Sequence, residues 1–228
     1  RSAEGGSRIV VQDRAGSLFP SISRDNSANA ILDPGLKTIS FEFFLHLPKQ
    51  ANENEVILQK LSGSAMGMTI ALSQSDSVTA CDLIFLASSG SSALITTASV
   101  TKGGFQHVAA VFDRKASILA DLKLYVSGEL KDQSTTTFDM NYIDFSGSPL
   151  RIGSGSTHSV GAISGSTVIT DSLWLPFVPS ASFSGALDEL RIFHGPRGLE
   201  RINLEMYKPL FADPSTLKLY YRFNEPTG

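Results

Sequence analysis

The sequence predicts an all-β protein, an antiparallel β-sandwich of the jelly-roll type, with one short helix near residues 199–207. Apolar and polar side chains alternate in many short segments, which is typical of strands with one face in a core. The chain has 19 glycines and 10 prolines, and only 18% of its residues are charged, which suits short strands joined by tight turns. Its 228 residues can bury a core without a disulfide or a metal, and we expect one domain over residues 1–228.

The clearest strand is residues 38–47. Its odd-numbered positions carry Ile, Phe, Phe, Leu and Leu, while the even positions from 40 to 46 carry Ser, Glu, Phe and His. This pattern predicts one buried face and one exposed face. The near-helical spacing of Leu199, Ile202, Leu204 and Met206 predicts the helix. The predicted strands are, in chain order, residues 7–12, 28–33, 38–47, 55–61, 67–73, 81–87, 105–113, 122–128, 149–153, 183–193 and 217–223.

Four motifs in these strands carry a family resemblance. They are Phe-Gln-His-Val-Ala-Ala-Val-Phe-Asp at 105–113, Leu-Tyr-Val-Ser-Gly at 124–128, Pro-Leu-Arg-Ile-Gly at 149–153 and Phe-Ser-Gly-Ala-Leu-Asp-Glu-Leu-Arg-Ile-Phe at 183–193. In this order they resemble the laminin G-like, pentraxin-like branch of the concanavalin A-like lectins, which implies that family's sandwich. The chain departs from the family pattern at Ala15, Phe44, Phe105 and Ser127, where Ser, Trp, Trp and Asp are usual.

The resemblance also implies a candidate calcium site at the rim of the sandwich. Asp13 and Asp188 match the family's turn and closing-strand aspartates. Calcium takes clustered carboxylate and carbonyl oxygens, so the two residues are candidate ligands. The alternative is that Asp188 is a structural carboxylate that accepts hydrogen bonds from turn amides. The sequence leaves both open.

No catalytic constellation is visible, and we expect the chain not to be an enzyme. The four histidines lack the spacing of a metal site. Asp188 and Glu189 are adjacent in a predicted strand, so they are expected on opposite faces and not as a catalytic carboxylate pair. His107 is expected to be a core histidine bonded to the backbone, and Cys81 a small buried hydrophobe.

The segment 154–182 is longer than the family's usual connection, and it is the predicted site of ligand binding. It is rich in Ser, Gly and Thr, could form a strand at 167–170, and carries the only Trp of the chain. The candidate ligand-binding residues on it are His158, Asp171, Trp174 and Phe177. An exposed Trp174 and Phe177 could stack on a sugar or anchor a protein partner. The alternative is that both pack on the outer sheet and hold the segment down.

The two ends of the chain suggest a module of a longer protein. The chain begins with Arg1, and its tail Arg-Phe-Asn-Glu-Pro-Thr-Gly resembles the opening of a family module. Residues 215–228 are therefore expected either to supply a closing strand, with Phe223 buried, or to begin a following tandem module. Neighbouring modules of the same chain are expected as partners.

A non-catalytic recognition or adhesion module is the predicted function, with a glycan or protein ligand held by rim loops. The alternatives are a structural spacer or particle decoration domain, and an accessory domain of a carbohydrate-active enzyme. The net charge of −3 gives no basic face for nucleic acid, and no apolar run is long enough for membrane insertion. The resemblance implies an extracellular, cell-surface or virion-surface location.

Overall fold

The computed structural model describes residues 8–13, 31–90, 92–115, 119–136, 140, 142–143, 147–159, 176–208 and 215–223. They form thirteen strands and one helix. The strands are β1 (Ile9–Val11), β2 (Ile39–His46), β3 (Glu55–Ser62), β4 (Met66–Leu72), β5 (Ala80–Ser89), β6 (Ala93–Thr101), β7 (Phe105–Arg114), β8 (Ala120–Val126), β9 (Glu129–Thr135), β10 (Leu150–Ile152), β11 (Ala181–Ser182), β12 (Ala186–Phe193) and β13 (Leu217–Tyr221). The helix is α1 (Leu199–Glu205).

The strands make two sheets that pack face to face. The seven-stranded sheet has the order β1-β10-β3-β4-β5-β6, with β11 added beside β3, and the six-stranded sheet has the order β13-β12-β2-β7-β8-β9. Every pairing is antiparallel except that of β11 with β3. The predicted antiparallel sandwich with one short helix is confirmed.

The core lies between the sheets, where the odd-numbered side chains of β2 meet those of β5. Phe41 packs edge-on against Phe85, with ring centroids 6.2 Å apart. Phe43 and Leu45 are fully buried beside them. The alternation in the sequence therefore predicted this face correctly. Cys81 is also buried, as expected.

The sheets are joined along one side by the edge strands β6 and β9. The Asp132 carboxylate accepts a hydrogen bond from the backbone N–H of Thr97 at 2.9 Å. The Ser134 hydroxyl donates to the backbone oxygen of Ile95 at 2.5 Å. These bonds satisfy backbone groups that an edge strand would otherwise leave open. Neither β6 nor β9 was among the predicted strands.

Two strand predictions were wrong in detail. The second face of β2 was predicted to be exposed, but Ser40 and Glu42 on it are buried. Residues 31–33 do not form a strand. Residues 31 and 32 lie in a turn, and the Asp33 carboxylate accepts from the N–H of Gly35 at 2.9 Å. Residues 28–30 of that predicted strand lie outside the described residues.

The tail of the chain contributes β13, which pairs antiparallel with β12 at the edge of the six-stranded sheet. Phe223 is half-buried against the core, with its ring centroid 5.9 Å from that of Tyr221. The presence of a following tandem module stays a prediction. In the described part of the chain, no helix has the length and apolar character needed to cross a membrane.

Candidate functional site

The described ends of the segment 154–182 are fastened to the outer face of the seven-stranded sheet. His158 and Phe177 pair with each other through two backbone hydrogen bonds of 2.9 Å. Phe177 is only 4% exposed and packs among outer-face side chains that include Val56 and Ile84. Phe177 is therefore not a residue that can stack on a ligand, and it holds the segment down. Asp171, Trp174 and the predicted strand at 167–170 lie outside the described residues.

His158 is fully buried and makes directional hydrogen bonds. Its Nε2 lies 2.6 Å from the Ser88 hydroxyl, which itself donates to the backbone oxygen of Ala65 at 2.8 Å. The histidine Nε2 must then be the donor to Ser88, so Nδ1 accepts from the Thr69 hydroxyl at 2.8 Å. The Thr69 oxygen in turn accepts from the Gln59 amide at 3.1 Å.

This chain of hydrogen bonds holds His158 as a neutral ring. Burial lowers the pKa of His158 to about 3, because the charged form would lose its hydration. The residue was predicted to bind a ligand, but it has no exposed surface. Its role is to fix the start of the segment.

Both predicted calcium ligands accept hydrogen bonds from the protein itself. The buried Asp13 carboxylate accepts from the N–H of Leu32 at 3.0 Å and from the Lys60 ammonium at 2.9 Å. The Asp188 carboxylate accepts from the N–H of Glu189 at 2.9 Å. Among the described residues, no three His, Cys, Asp or Glu side chains gather where they could hold a metal. Calcium binding by Asp13 and Asp188 stays a prediction.

A bulge in β12 overturns the prediction that Asp188 and Glu189 lie on opposite faces. Glu189 has a φ of 52°, and the register with β2 shifts between Asp188 and Arg191. The extra residue rotates the chain, so that the Glu189 carboxylate reaches Arg191 at 2.7 Å on the outer face. Asp188 pairs with Phe44 and lies on the same face.

The outer face of the six-stranded sheet also carries a cluster of rings, which we call the aromatic face. It consists of Phe44 and His46 on β2, Phe105 on β7, and Tyr207 just after α1. His46 and Phe105 are cross-strand partners with ring centroids 5.2 Å apart. Phe44 and Tyr207 have centroids 5.7 Å apart. Phe105 is 57% exposed and Tyr207 is 72% exposed, so both rings present surface to a ligand.

Arg191 fixes Tyr207 in this position by binding the C-terminal end of α1. Its guanidinium donates to the backbone oxygens of Glu205 at 3.2 Å and Lys208 at 3.0 Å, on both sides of Tyr207. A cation is favourable at that end of a helix, where backbone carbonyls lack partners. The aromatic face thus depends on tertiary contacts between α1 and β12.

His107 lies beside the aromatic face, as the cross-strand partner of Phe44 on β7, with its ring edge-on to Phe44 at a centroid distance of 5.2 Å. Burial, together with the charges of Arg191 and Arg197, lowers the pKa of His107 to about 4. The ring is neutral, and its Nδ1 has no hydrogen-bond partner among the described residues. The expected side-chain bond to the backbone was therefore wrong, and the His107 ring packs beside that of Phe44.

The chemistry of the aromatic face suits binding. Burial alone would raise the pKa of Glu189, but hydrogen bonds from Tyr220 and Arg191, and the charges of Arg191 and Arg222, bring it below its ordinary value. Glu189 is therefore an ion-paired carboxylate, unsuited to the role of a general acid at neutral pH.

The exposed rings can stack on the apolar face of a sugar, and Asp188 beside them can accept hydrogen bonds from hydroxyl groups.

The sequence contains a signal for this face. Phe44 and Phe105 stand where the resembled family usually has Trp, and Phe44 and His46 occupy outward positions of β2. Large rings on a predicted outer face are unusual enough to mark a candidate binding surface. Tyr207 had no such signal, because its position depends on Arg191.

Comparison with known proteins supports the fold. A laminin G model of the concanavalin A-like lectin/glucanases superfamily matches residues 24–203. No curated protein sequence matches the chain. A candidate carbohydrate-binding protein from Bacteroides ovatus is similar in structure, with a TM-score of 0.56 and 15% identity over 97% of this chain and 50% of that chain. A heptameric SAP-like pentraxin from Limulus polyphemus has a TM-score of 0.50 and 14% identity over 75% of this chain and 70% of that chain.

At these identities the structural similarity shows the fold alone. The chain spans half the length of the Bacteroides protein.

Proposed function

The chain belongs to the concanavalin A-like lectin/glucanases superfamily, and we propose that it is a non-catalytic module that binds a glycan on its aromatic face. The module would belong to an extracellular or surface protein. The ligand would lie across β2 and β7, with its sugar rings against Phe105 and Tyr207 and its hydroxyl groups near Asp188.

The observation that carries this proposal is the exposure of Phe105 and Tyr207 on one continuous surface. Two large rings that are more than half exposed lie beside His46 and Phe44, while most aromatic side chains of the described core are buried. Exposed aromatic surface is costly in water unless a partner covers it. A sugar offers such a partner, because one face of its ring carries C–H groups and its rim carries hydroxyls.

A glycan array probed with the whole chain tests the proposal. We expect Phe105→Ala to weaken binding of the best glycan by roughly ten-fold or more, since loss of about 1.4 kcal/mol of contact energy gives that factor. Tyr207→Ala should weaken binding by a similar factor. Leu130→Ala is the control, because Leu130 is an exposed apolar residue on β9 at the far edge of the same sheet. Titration calorimetry with that glycan would give the affinities.

Trp174→Ala in the same assay separates the aromatic face from the site predicted on the segment 154–182. Loss of binding in Trp174→Ala but not in Phe105→Ala would move the site to that segment. An array without any bound glycan, or variants of the aromatic face that bind as the wild type does, would contradict the proposal. A protein ligand or a purely structural role would then be the better account.

A further inference from the structure

Lys102 lies at one end of the sandwich, in the turn between β6 and β7, and is only 6% exposed. Its ammonium group donates to the backbone oxygen of Gln50 at 2.7 Å, to the side-chain oxygen of Asn52 at 2.8 Å and to the backbone oxygen of Ser77 at 2.6 Å. An ammonium group has three N–H donors, so all of them are used. We call the three oxygens the Lys102 cage.

The cage ties together the loops at this end of the sandwich. Gln50 and Asn52 belong to the loop between β2 and β3, Ser77 belongs to the loop between β4 and β5, and Lys102 follows β6. Asn52 also pairs with Ser75 through two backbone hydrogen bonds of 2.9 Å. The ammonium group of one lysine therefore holds the β2–β3 and β4–β5 loops against the β6–β7 turn.

The cage has the donor set of a cation site. Two backbone carbonyls and one side-chain amide oxygen are the hard oxygen ligands that calcium takes. Glu55, a buried carboxylate, lines the same pocket as Asn52 and Lys102. Burial raises the pKa of Glu55, while the N–H of Ser184 and the charge of Lys102 oppose that rise. The ionised carboxylate would favour any cation in the cage.

A second buried lysine occupies the candidate calcium ligand Asp13. The Lys60 ammonium lies 2.9 Å from the Asp13 carboxylate and 2.5 Å from the backbone oxygen of Ser148. A divalent ion on Asp13 would face the positive charge of Lys60 at close range. At both sites, oxygen ligands therefore surround the ammonium group of a lysine of the chain itself.

We propose that internal ammonium groups take the place of bound metal in this molecule, and that the Lys102 cage is a latent cation site. The wild-type loops are then held without calcium. Removal of the Lys102 side chain leaves three oxygens and Glu55 around an empty space, which a calcium ion can fill. This inference concerns stability and holds whether or not the aromatic face binds a glycan.

Thermal unfolding of the whole chain with EDTA or with millimolar calcium tests the inference. The Tm of the wild type should be the same in both conditions. Lys102→Ala should lower the Tm in EDTA by roughly 8 °C, because it leaves three buried oxygens without their donor. Calcium should restore at least half of that loss. Lys102→Met should be destabilised without a response to calcium, because its side chain fills the space without binding the oxygens.

If Lys102→Ala fails to fold, Lys102→Ser provides the same opening and can be refolded from urea with and without calcium. A higher yield of folded protein with calcium would support the inference. A wild type that loses Tm in EDTA would overturn it, because a metal would then be required. A Lys102→Ala variant with the same Tm in EDTA and in calcium would overturn the latent site.

Discussion

Arg197→Met should lower the free energy of unfolding at pH 7 by roughly 3–5 kcal/mol, because it leaves a buried carboxylate without its partner. Glu42 is fully buried on the outer face of β2 and accepts from Arg197 Nε at 2.5 Å. The other end of the guanidinium donates to Glu205 on α1 at 2.7 Å. Urea unfolding followed by circular dichroism would give the free energy.

The charges around Arg197 explain why the pair is strong. Burial alone would lower the pKa of Arg197, but its hydrogen bonds and Coulomb attraction to Glu42 and Glu205 raise it above its ordinary value. Its guanidinium also lies over the ring of Phe193, at 4.4 Å from the centroid. In the variant, no charged partner of Glu42 remains among the described residues, because His107, at 3.8 Å, is neutral at pH 7.

Arg201→Met is the matched control, since Arg201 is also paired with Glu205, at 3.3 Å, but is 53% exposed. An exposed i,i+4 pair contributes about 0.3–0.5 kcal/mol, so this variant should be nearly as stable as the wild type. Equal losses in the two variants would show that burial of Glu42 does not set the effect. Because Arg197 anchors α1 through Glu205, the Arg197 variant should also weaken any binding that depends on Tyr207.

The stability of the chain should fall steeply as the pH is lowered from about 6.5 towards 4. Burial lowers the pKa of His107 and His194 to about 4 and that of His158 to about 3, against an ordinary value of 6.5. Between these values the unfolded chain binds protons that the folded chain does not, so unfolding becomes more favourable as the pH falls. Above about pH 7 both states carry neutral histidines, and stability no longer depends on them.

The loss at pH 4 should be of the order of several kcal/mol, since each full unit of pKa difference corresponds to about 1.4 kcal/mol. Glu55 acts in the opposite direction, because its pKa is raised on folding and it therefore takes up a proton more readily in the folded state. The measurement is the free energy of unfolding in urea at half-unit steps from pH 7.5 to 4.

The slope of the free energy of unfolding against pH is set by the number of protons that the unfolded chain binds and the folded chain does not. Near pH 5 the three buried histidines supply about three such protons, so His158→Gln should reduce that number by about one. Glutamine can still accept from Thr69 and donate to Ser88. Thr69→Val is the control: it removes a hydrogen bond to His158 but no titrating group, so it should lower stability without reducing the slope. A wild-type free energy that is flat from pH 6.5 to 4.5 would refute the explanation.

The sequence predicted the burial of His107, but it did not predict the burial of Glu42 or of His158. The alternation in residues 38–47 identified the core face of β2 correctly, because a strand in a sandwich must bury one face whatever lies outside it. The same alternation assigned Glu42 to solvent. It is buried against Arg197, which lies just before α1. The helix itself packs over β7 and β8, with Ile202 against Ala109 and Tyr125.

The candidate site was likewise predicted only in part from the sequence. Four short motifs predicted the family sandwich and its strand order along the chain, and both the architecture and the family membership were confirmed. The predicted ligand residues His158 and Phe177 are buried anchors of their segment, while Asp171 and Trp174 stay predictions. Asp188 stays a predicted calcium ligand, and it is the cross-strand partner of Phe44 beside a cluster of rings.

The sequence by itself determined the sandwich, because side-chain alternation, turn residues and burial of a common core act locally in every strand. Only the tertiary structure decided what covers each outer face. There the contacts join residues far apart in the chain, such as Glu42 with Arg197 and Phe44 with Tyr207. A local pattern cannot specify such pairs, because their energies depend on distances and burial that exist only once the two sheets and α1 have packed.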